Sequence, residues 1–226
     1  MSLSLVVITN KKKLDELFLS RLDFADELMV VPNQGDFASF AQKRNQALQK
    51  AKGDWALFVD DDEVVSRELA QEVSKAIKNP KYQGYCLKRQ DVVFNQVLKY
   101  GEVGKIKILR LAQKTSGQFQ RAVHETWEVK GPIGLLKNPL YHLKNSFVSE
   151  FISRINFYGP LDAKALSAEN KPFSFFKLLV FPKAKFLLNY FLRKGFLDGY
   201  PGLFLAYLMS LQSLSVRIFQ WENQRS

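Results

Sequence analysis

Apolar and polar positions follow two regimes along these 226 residues. In the first half, short apolar runs alternate with stretches of helical period. Leu3–Thr9 and Glu27–Val31 read as strands, with Lys13–Leu22 as a helix between them. Asp36–Lys50 reads as a further helix, with Phe37, Phe40, Ala41, Ala47 and Leu48 loosely at helical spacing. Trp55–Val59 is continuously apolar, the signature of a buried strand. Ser66–Lys78 is amphipathic, with Leu69, Val73, Ala76 and Ile77 on one face and Asn79-Pro80 as its stop. This βαβα rhythm predicts an α/β fold, a mostly parallel sheet flanked by helices.

The middle of the chain changes character. Gly84–Phe94, Lys105–Leu111 and Gly131–Lys137 are strand-like, and Ser116-Gly117 and Gly131-Pro132 supply turns. An antiparallel addition to the parallel sheet accounts for them. From Phe147 the pattern is helical: Phe147–Leu166, then Phe173–Leu192 bent or broken at Pro182, then Leu203–Trp221. Two domains are therefore expected, an α/β domain over 1–145 and a C-terminal helical extension over 146–226.

Composition narrows this picture. Apolar residues make up 46% and aromatics 13%, enough for a packed core. The single Cys86 excludes an internal disulfide, suits a reducing compartment and reads as a buried structural thiol. The amino terminus lacks a basic leader and reads as a first core strand, not a signal peptide. No apolar segment is expected to reach the roughly 20 residues that cross a bilayer. The longest, Leu203–Val216, is interrupted by Ser210, Gln212, Ser213 and Ser215. A net charge of +11 asks for an anionic partner: nucleic acid, a phosphorylated or nucleotide substrate, or a membrane surface.

Candidate chemistry concentrates where the apolar run of Trp55–Val59 ends in Asp60-Asp-Asp-Glu63. Carboxylates held at the carboxyl end of a core strand sit where α/β sheets bind ligands. Their mutual repulsion is relieved by a divalent cation, which commonly holds phosphate oxygens. Asp60 and Asp62 as turn residues, or Asp62 as a helix cap, is the competing reading of the same residues. Around the cluster stand Lys43-Arg44-Asn45, where Arg44 can clamp a diphosphate and Asn45 can bond a base, a sugar or loop backbone. Arg110 lies on the parity opposite Lys105 and Lys107 and can point into a cleft. His124-Glu125 pairs a potential metal ligand with a potential general base. His142 looks more like a structural hydrogen-bonder. Each of these also has a plain reading as helix surface or edge strand.

Taken in order, several segments carry a resemblance. They are Val6-Val-Ile-Thr9, Lys43-Arg44-Asn45, Gly53–Glu63, Ile108-Leu-Arg-Leu111, Val123-His-Glu125, Leu140-Tyr-His142, Gly195-Phe-Leu-Asp-Gly199 and Trp221-Glu222. The chain resembles glycosyltransferase family 2, specifically the branch similar to lipopolysaccharide-core and related cell-envelope sugar transferases. That resemblance implies a GT-A fold, a nucleotide-diphosphate sugar donor, Mg²⁺ or Mn²⁺, and transfer with inversion to a cell-envelope glycan or lipid-linked acceptor. It implies Asp60, Asp62 and His124 at the metal, with Asp62 the direct ligand. Thr9, Arg44, Asn45, Asp61 and Arg110 would bind the donor, and Glu125 and Asp62 would carry the catalysis. The family's acidic loop after the second strand is shortened here. Pro32 stands where its first Asp is expected, with Asp36 as a substitute, so donor binding is trimmed, reorganised or lost.

After Lys171, cations alternate with Phe residues, a pattern that suits docking on an anionic membrane surface. The expected location is cytoplasmic, peripheral at the inner face of the cell membrane. A helical cap that buries those Phe residues is the alternative. Two other functions compete. A haloacid-dehalogenase-like phosphohydrolase would use Asp60 as nucleophile, but the motif follows the third predicted strand and no later Asp pair completes a metal site. A non-catalytic basic protein that binds nucleic acid or sugar would explain the charge and leave the acidic cluster idle. No zinc-binding or helix-turn-helix pattern is present, so nucleic acid is not expected as a partner.

Overall fold

The computed structural model describes residues 1–9, 11, 14–32, 40–78, 80–120 and 126–225. They form two compact units, one of Met1–Gln90 with Ile106–Leu143 and one of Asp91–Lys105 with Lys144–Ser226.

The first unit is built on strands β1 (Leu3–Thr9), β2 (Glu27–Pro32), β3 (Trp55–Asp60), β4 (Glu63–Val65) and β5 (Gly84–Val93). Helices α1 (Glu16–Ser20), α2 (Phe40–Lys50) and α3 (Arg67–Lys78) lie between them in the chain. Strand β6 (Gln96–Val97), which falls in the second unit, follows, and then β7 (Lys107–Gln113), β8 (Gly117–Gln120), β9 (Thr126–Val129), β10 (Ile133–Leu135) and β11 (Leu140–Lys144). The main sheet runs β2-β1-β3-β7-β5-β11-β4, with β6 and β10 also pairing β5, while β8 and β9 form a separate hairpin. β1 pairs both β2 and β3 in parallel. β7 then runs antiparallel to β3 and to β5, and β11 antiparallel to β4. The sheet is thus mixed α/β, and its antiparallel part is larger than a mostly parallel reading expects. Short connections after Lys78 fold the middle strands back beside one another in place of helical crossovers.

Alternation along β1 and β3 sorts their side chains onto two buried faces. Leu3, Leu5, Val7, Trp55, Leu57 and Val59 pack with Leu69, Val73 and Ile77 of α3. Val6, Ile8, Ala56 and Phe58 pack on the other side with Ala41, Ala47 and Leu48 of α2, and with Phe119 and Trp127. Both strands are therefore apolar on both faces, which is why their sequences read as continuous runs. Gly53, just before β3, fits where a Cβ would lie 2.6 Å from the Ser4 backbone nitrogen. Its own N–H donates to Ser4 Oγ at 2.8 Å.

The second unit holds α4 (Phe147–Ala168), α5 (Phe175–Leu187) and α6 (Gly199–Asn223). Ser174 caps α5 through the Lys177 N–H. Helix α5 runs through Pro182, where a bend or break is expected from sequence, and ends at a π-helical turn over Leu188–Leu192. Lys194 is left-handed with φ 58°, which redirects the chain into a 3₁₀ turn at Gly195–Asp198.

Two sequence expectations change here. Residues 91–105 group with the helices and not with domain 1–145. The reason is the buried Asp198, whose carboxylate accepts from the Lys99 and Tyr100 backbone N–H groups. Asn189 Oδ1 likewise accepts from the Glu102 N–H at 2.9 Å. Second, Gly195–Asn223 spans 29 residues and contains an 18-residue window with a mean hydropathy of 1.4, long and apolar enough to cross a membrane by length and composition. The helix starts before Leu203, and Ser210 Oγ donates to the Pro182 carbonyl.

Candidate functional site

The parallel register brings the ends of β1 and β3 together, with Ile8 opposite Asp60. Asp60 terminates β3, and a turn through Asp61 and Asp62 leads into β4. Three consecutive aspartates therefore leave the sheet edge in different directions, and each meets a different partner.

Asp60 turns toward two arginines. Its Oδ1 accepts from Arg44 Nη2 at 3.2 Å and its Oδ2 from Arg110 Nη2 at 2.6 Å. Arg44 projects from α2 and is buried, its guanidinium 5.6 Å from the Phe58 ring centre and 5.5 Å from that of Phe119. Arg110 reaches in from β7, beside β3, and also lies 3.7 Å from Glu63 Oε1. Burial pushes the Asp60 carboxyl upward, but the Arg110 and Arg44 charges and hydrogen bonds outweigh it and hold it at about 2. Glu63 is buried, accepts from the Asp60 backbone N–H at 3.0 Å, and is raised, chiefly by that burial, against the pull of Arg110.

Asp61 accepts from Thr9 Oγ1 at 2.5 Å, and Lys11 Nζ lies 3.8 Å from its carboxylate while donating to its carbonyl. Asp62 stands 3.1 Å from His142 Nε2, and its backbone carbonyl accepts from the Leu143 N–H. The antiparallel pairing of β4 with β11 sets His142 opposite Glu63, which is what delivers the imidazole. Asp62 is the more exposed carboxylate, at 42% against 31% for Asp60.

Asn45 faces elsewhere. Its Nδ2 donates to the Phe119 carbonyl and its Oδ1 accepts from the Phe119 N–H, at 2.9 and 2.7 Å. Both amide atoms thus pin β8, and with it the Phe119 ring against Arg44. Of the expected donor-binding residues, Thr9, Arg44, Asp61 and Arg110 gather at the cluster and Asn45 supports it from behind. His124 and Glu125 lie outside the described residues, as do Asp36 and the loop residues between it and Pro32. The structure adds Lys11, Glu63 and His142 to the cluster. Glu63 was legible as the end of the acidic run, and His142 as the second of two histidines. Lys11 carried no signal beyond its place just past the first strand.

Among the described residues, no three His, Cys, Asp or Glu side chains converge as a ready cation cage. The donor set divides on this point. Asp60 has both oxygens facing guanidinium groups and does not fit a cation, nor does it fit an unencumbered nucleophile of the phosphohydrolase kind. Asp62 does fit, since Mg²⁺-type sites take only one or two protein carboxylates where substrate phosphates complete the shell.

Residues 22–126 match the family model described as Glycosyl transferase family 2. Uncharacterized glycosyltransferases of Rickettsia typhi and Rickettsia prowazekii are each 24% identical over 211 residues, covering 87% of this chain and 70% of the relative. Among solved structures, S. aureus TarS 1-349 in complex with UDP aligns with 100% of this chain and 92% of its own, at 14% identity and TM-score 0.47. The bifunctional IspDF from Campylobacter jejuni aligns with 61% of this chain at 14% identity and TM-score 0.39. The chain spans about half the length of that protein (50%) and of a longer TarS structure (55%). The family match covers the acidic turn and both of its arginines.

Proposed function

We propose that this chain is an inverting glycosyltransferase that moves a sugar from a nucleoside-diphosphate donor to a cell-envelope glycan or glycolipid on the cytoplasmic side. One observation carries the reading: an acidic turn at the end of β3, backed by Arg44 and Arg110, inside the segment that matches the family model. Among the described residues, Asp60, Asp61 and Glu63 pair with Lys11, Arg44 and Arg110, and Asp62 stands beside His142. That balance suits a donor diphosphate arriving with a divalent metal better than a bare anion.

Asp62 would hold Mg²⁺ or Mn²⁺, which when bound supplies positive charge against the departing diphosphate. Asp60 acts as a positioning residue, holding the two guanidinium groups at one edge of the sheet. Arg44, packed against the Phe58 and Phe119 rings, is fixed before any donor arrives, so little reorganisation is needed on binding. Thr9 orients Asp61 by its short hydrogen bond. Glu125 is assigned the base that takes the acceptor hydroxyl's proton as that oxygen attacks the anomeric carbon, with the nucleoside diphosphate leaving from the opposite face. Turnover of a panel of nucleotide sugars, measured with and without Mn²⁺, tests this directly. Metal-stimulated release of a nucleoside diphosphate from at least one donor is expected. Failure of every donor to bind or turn over would remove the proposal.

A further inference from the structure

The second unit exposes many large apolar side chains, a grouping that marks an interaction surface. On α5 and the turn after it, Phe175 is 67% exposed, Phe176 70% and Leu192 77%. Along α6, Tyr200, Phe204, Tyr207, Leu211, Ile218 and Trp221 are all exposed, at spacings of three, four and seven that keep them on one stripe. Lys183 and Lys194 stand exposed among them. From Lys171 to Trp221 the sequence holds seven Lys or Arg and one acid, Asp198, which is buried and occupied in holding residues 99 and 100. A second copy of the same surface would meet like charge with like. An anionic bilayer answers both the apolar stripe and the cations.

The side of α6 that meets α5 decides the orientation. Ser210 donates to the Pro182 carbonyl, Gln220 to the Lys171 carbonyl, and Arg217 to Gln220 Oε1 while stacking over Phe181 at 5.1 Å. Ser210 and Arg217 tie α6 to α5, and Gln220 ties it to the segment before α5, beside a cavity of about 720 Å³ whose lining includes Glu102, Asp162, Lys185 and Arg217. A helix that crossed the membrane would carry this charged side into hydrocarbon, a costly arrangement. Its length and composition alone would allow crossing. We infer that the second unit docks in the plane of an anionic lipid bilayer, with the exposed faces of α5 and α6 seated at the headgroup boundary. The inference is carried by this unit alone and stands or falls separately from the transferase reading.

The test uses the full chain with vesicles of phosphatidylcholine alone or mixed with phosphatidylglycerol. Trp55 and Trp127 are buried, so Trp221 reports the docked surface. Binding is expected only with phosphatidylglycerol and is weakened by salt. Phe176→Ser and Leu192→Ser, both at non-core positions, should each lower vesicle affinity about tenfold, and Lys183→Glu or Lys194→Glu several-fold. Leu211→Trp in a Trp221→Phe background should be quenched by bromine near the headgroups. Quenching strongest at the bilayer centre, equal binding to neutral vesicles, or no binding would overturn the inference. A lipid-free dimer that shields Trp221 from iodide would overturn it as well.

Discussion

Asp60 and Asp62 lie two positions apart and have opposite surroundings. Asp60 is locked between two guanidinium groups, whereas Asp62 is more exposed and stands beside the His142 imidazole. Replacing Asp62 with Ala should abolish metal-dependent donor turnover and leave the thermal melt within about 1 kcal/mol of the parent, as a half-exposed side chain allows. Full activity in that variant would take Asp62 out of the mechanism. Asp60→Asn should instead cost stability, on the order of 2 kcal/mol, because it leaves two buried cations under-compensated. The pH dependence has a definite sign. Asp60 is held at about 2, below its usual 3.8, so its contribution is present above pH 3.8 and lost as pH falls through 2. Glu63 is raised above 4.5, so its cost applies at neutral pH and is relieved as pH falls toward 4.5. Acid denaturation of the parent and of Asp60→Asn should therefore converge near pH 2, and a constant gap between them would contradict this account. The acidic run was plain in the sequence. Which carboxylate is clamped and which is open depends on Arg44, Arg110 and His142, whose approach no local pattern specifies.

Elements differ in how openly they were written. β1, β3 and α3 were readable because their apolar periods match their burial: Leu69, Val73 and Ile77 are the buried residues of α3. Strand β3 ends where the apolar run meets its first aspartate. The β8–β9 hairpin was not predicted, since Gln118 and Gln120 flank Phe119 and the apolar content is low. It is held in part by α2, through Asn45. Asn45→Ala should lose both hydrogen bonds to Phe119 and cost about 2 kcal/mol in denaturant melts. Donor KM should rise through the loosened Arg44 stack. A large KM effect with unchanged stability would instead make Asn45 a direct donor contact.

For the molecule as a whole, the division at residue 145 missed that 91–105 belongs with the helices. Asp198→Ala leaves the Lys99 and Tyr100 N–H groups without their carboxylate and should destabilise the second unit by about 2–4 kcal/mol. Near-ultraviolet signals from Trp55 and Trp127 should persist while Trp221 fluorescence changes first, and simultaneous loss of all three would argue against a local effect. Sequence alone determined the alternation of strands and helices, the acidic turn and the cationic, aromatic tail, because apolar period and charge runs are local properties. Tertiary structure decided the mixed sheet, the pairing of each aspartate, the grouping of residues 91–105 and the outward face of α6. Those depend on contacts between positions 50 to 100 residues apart, and chain pattern carries little information about which distant partner a side chain will meet.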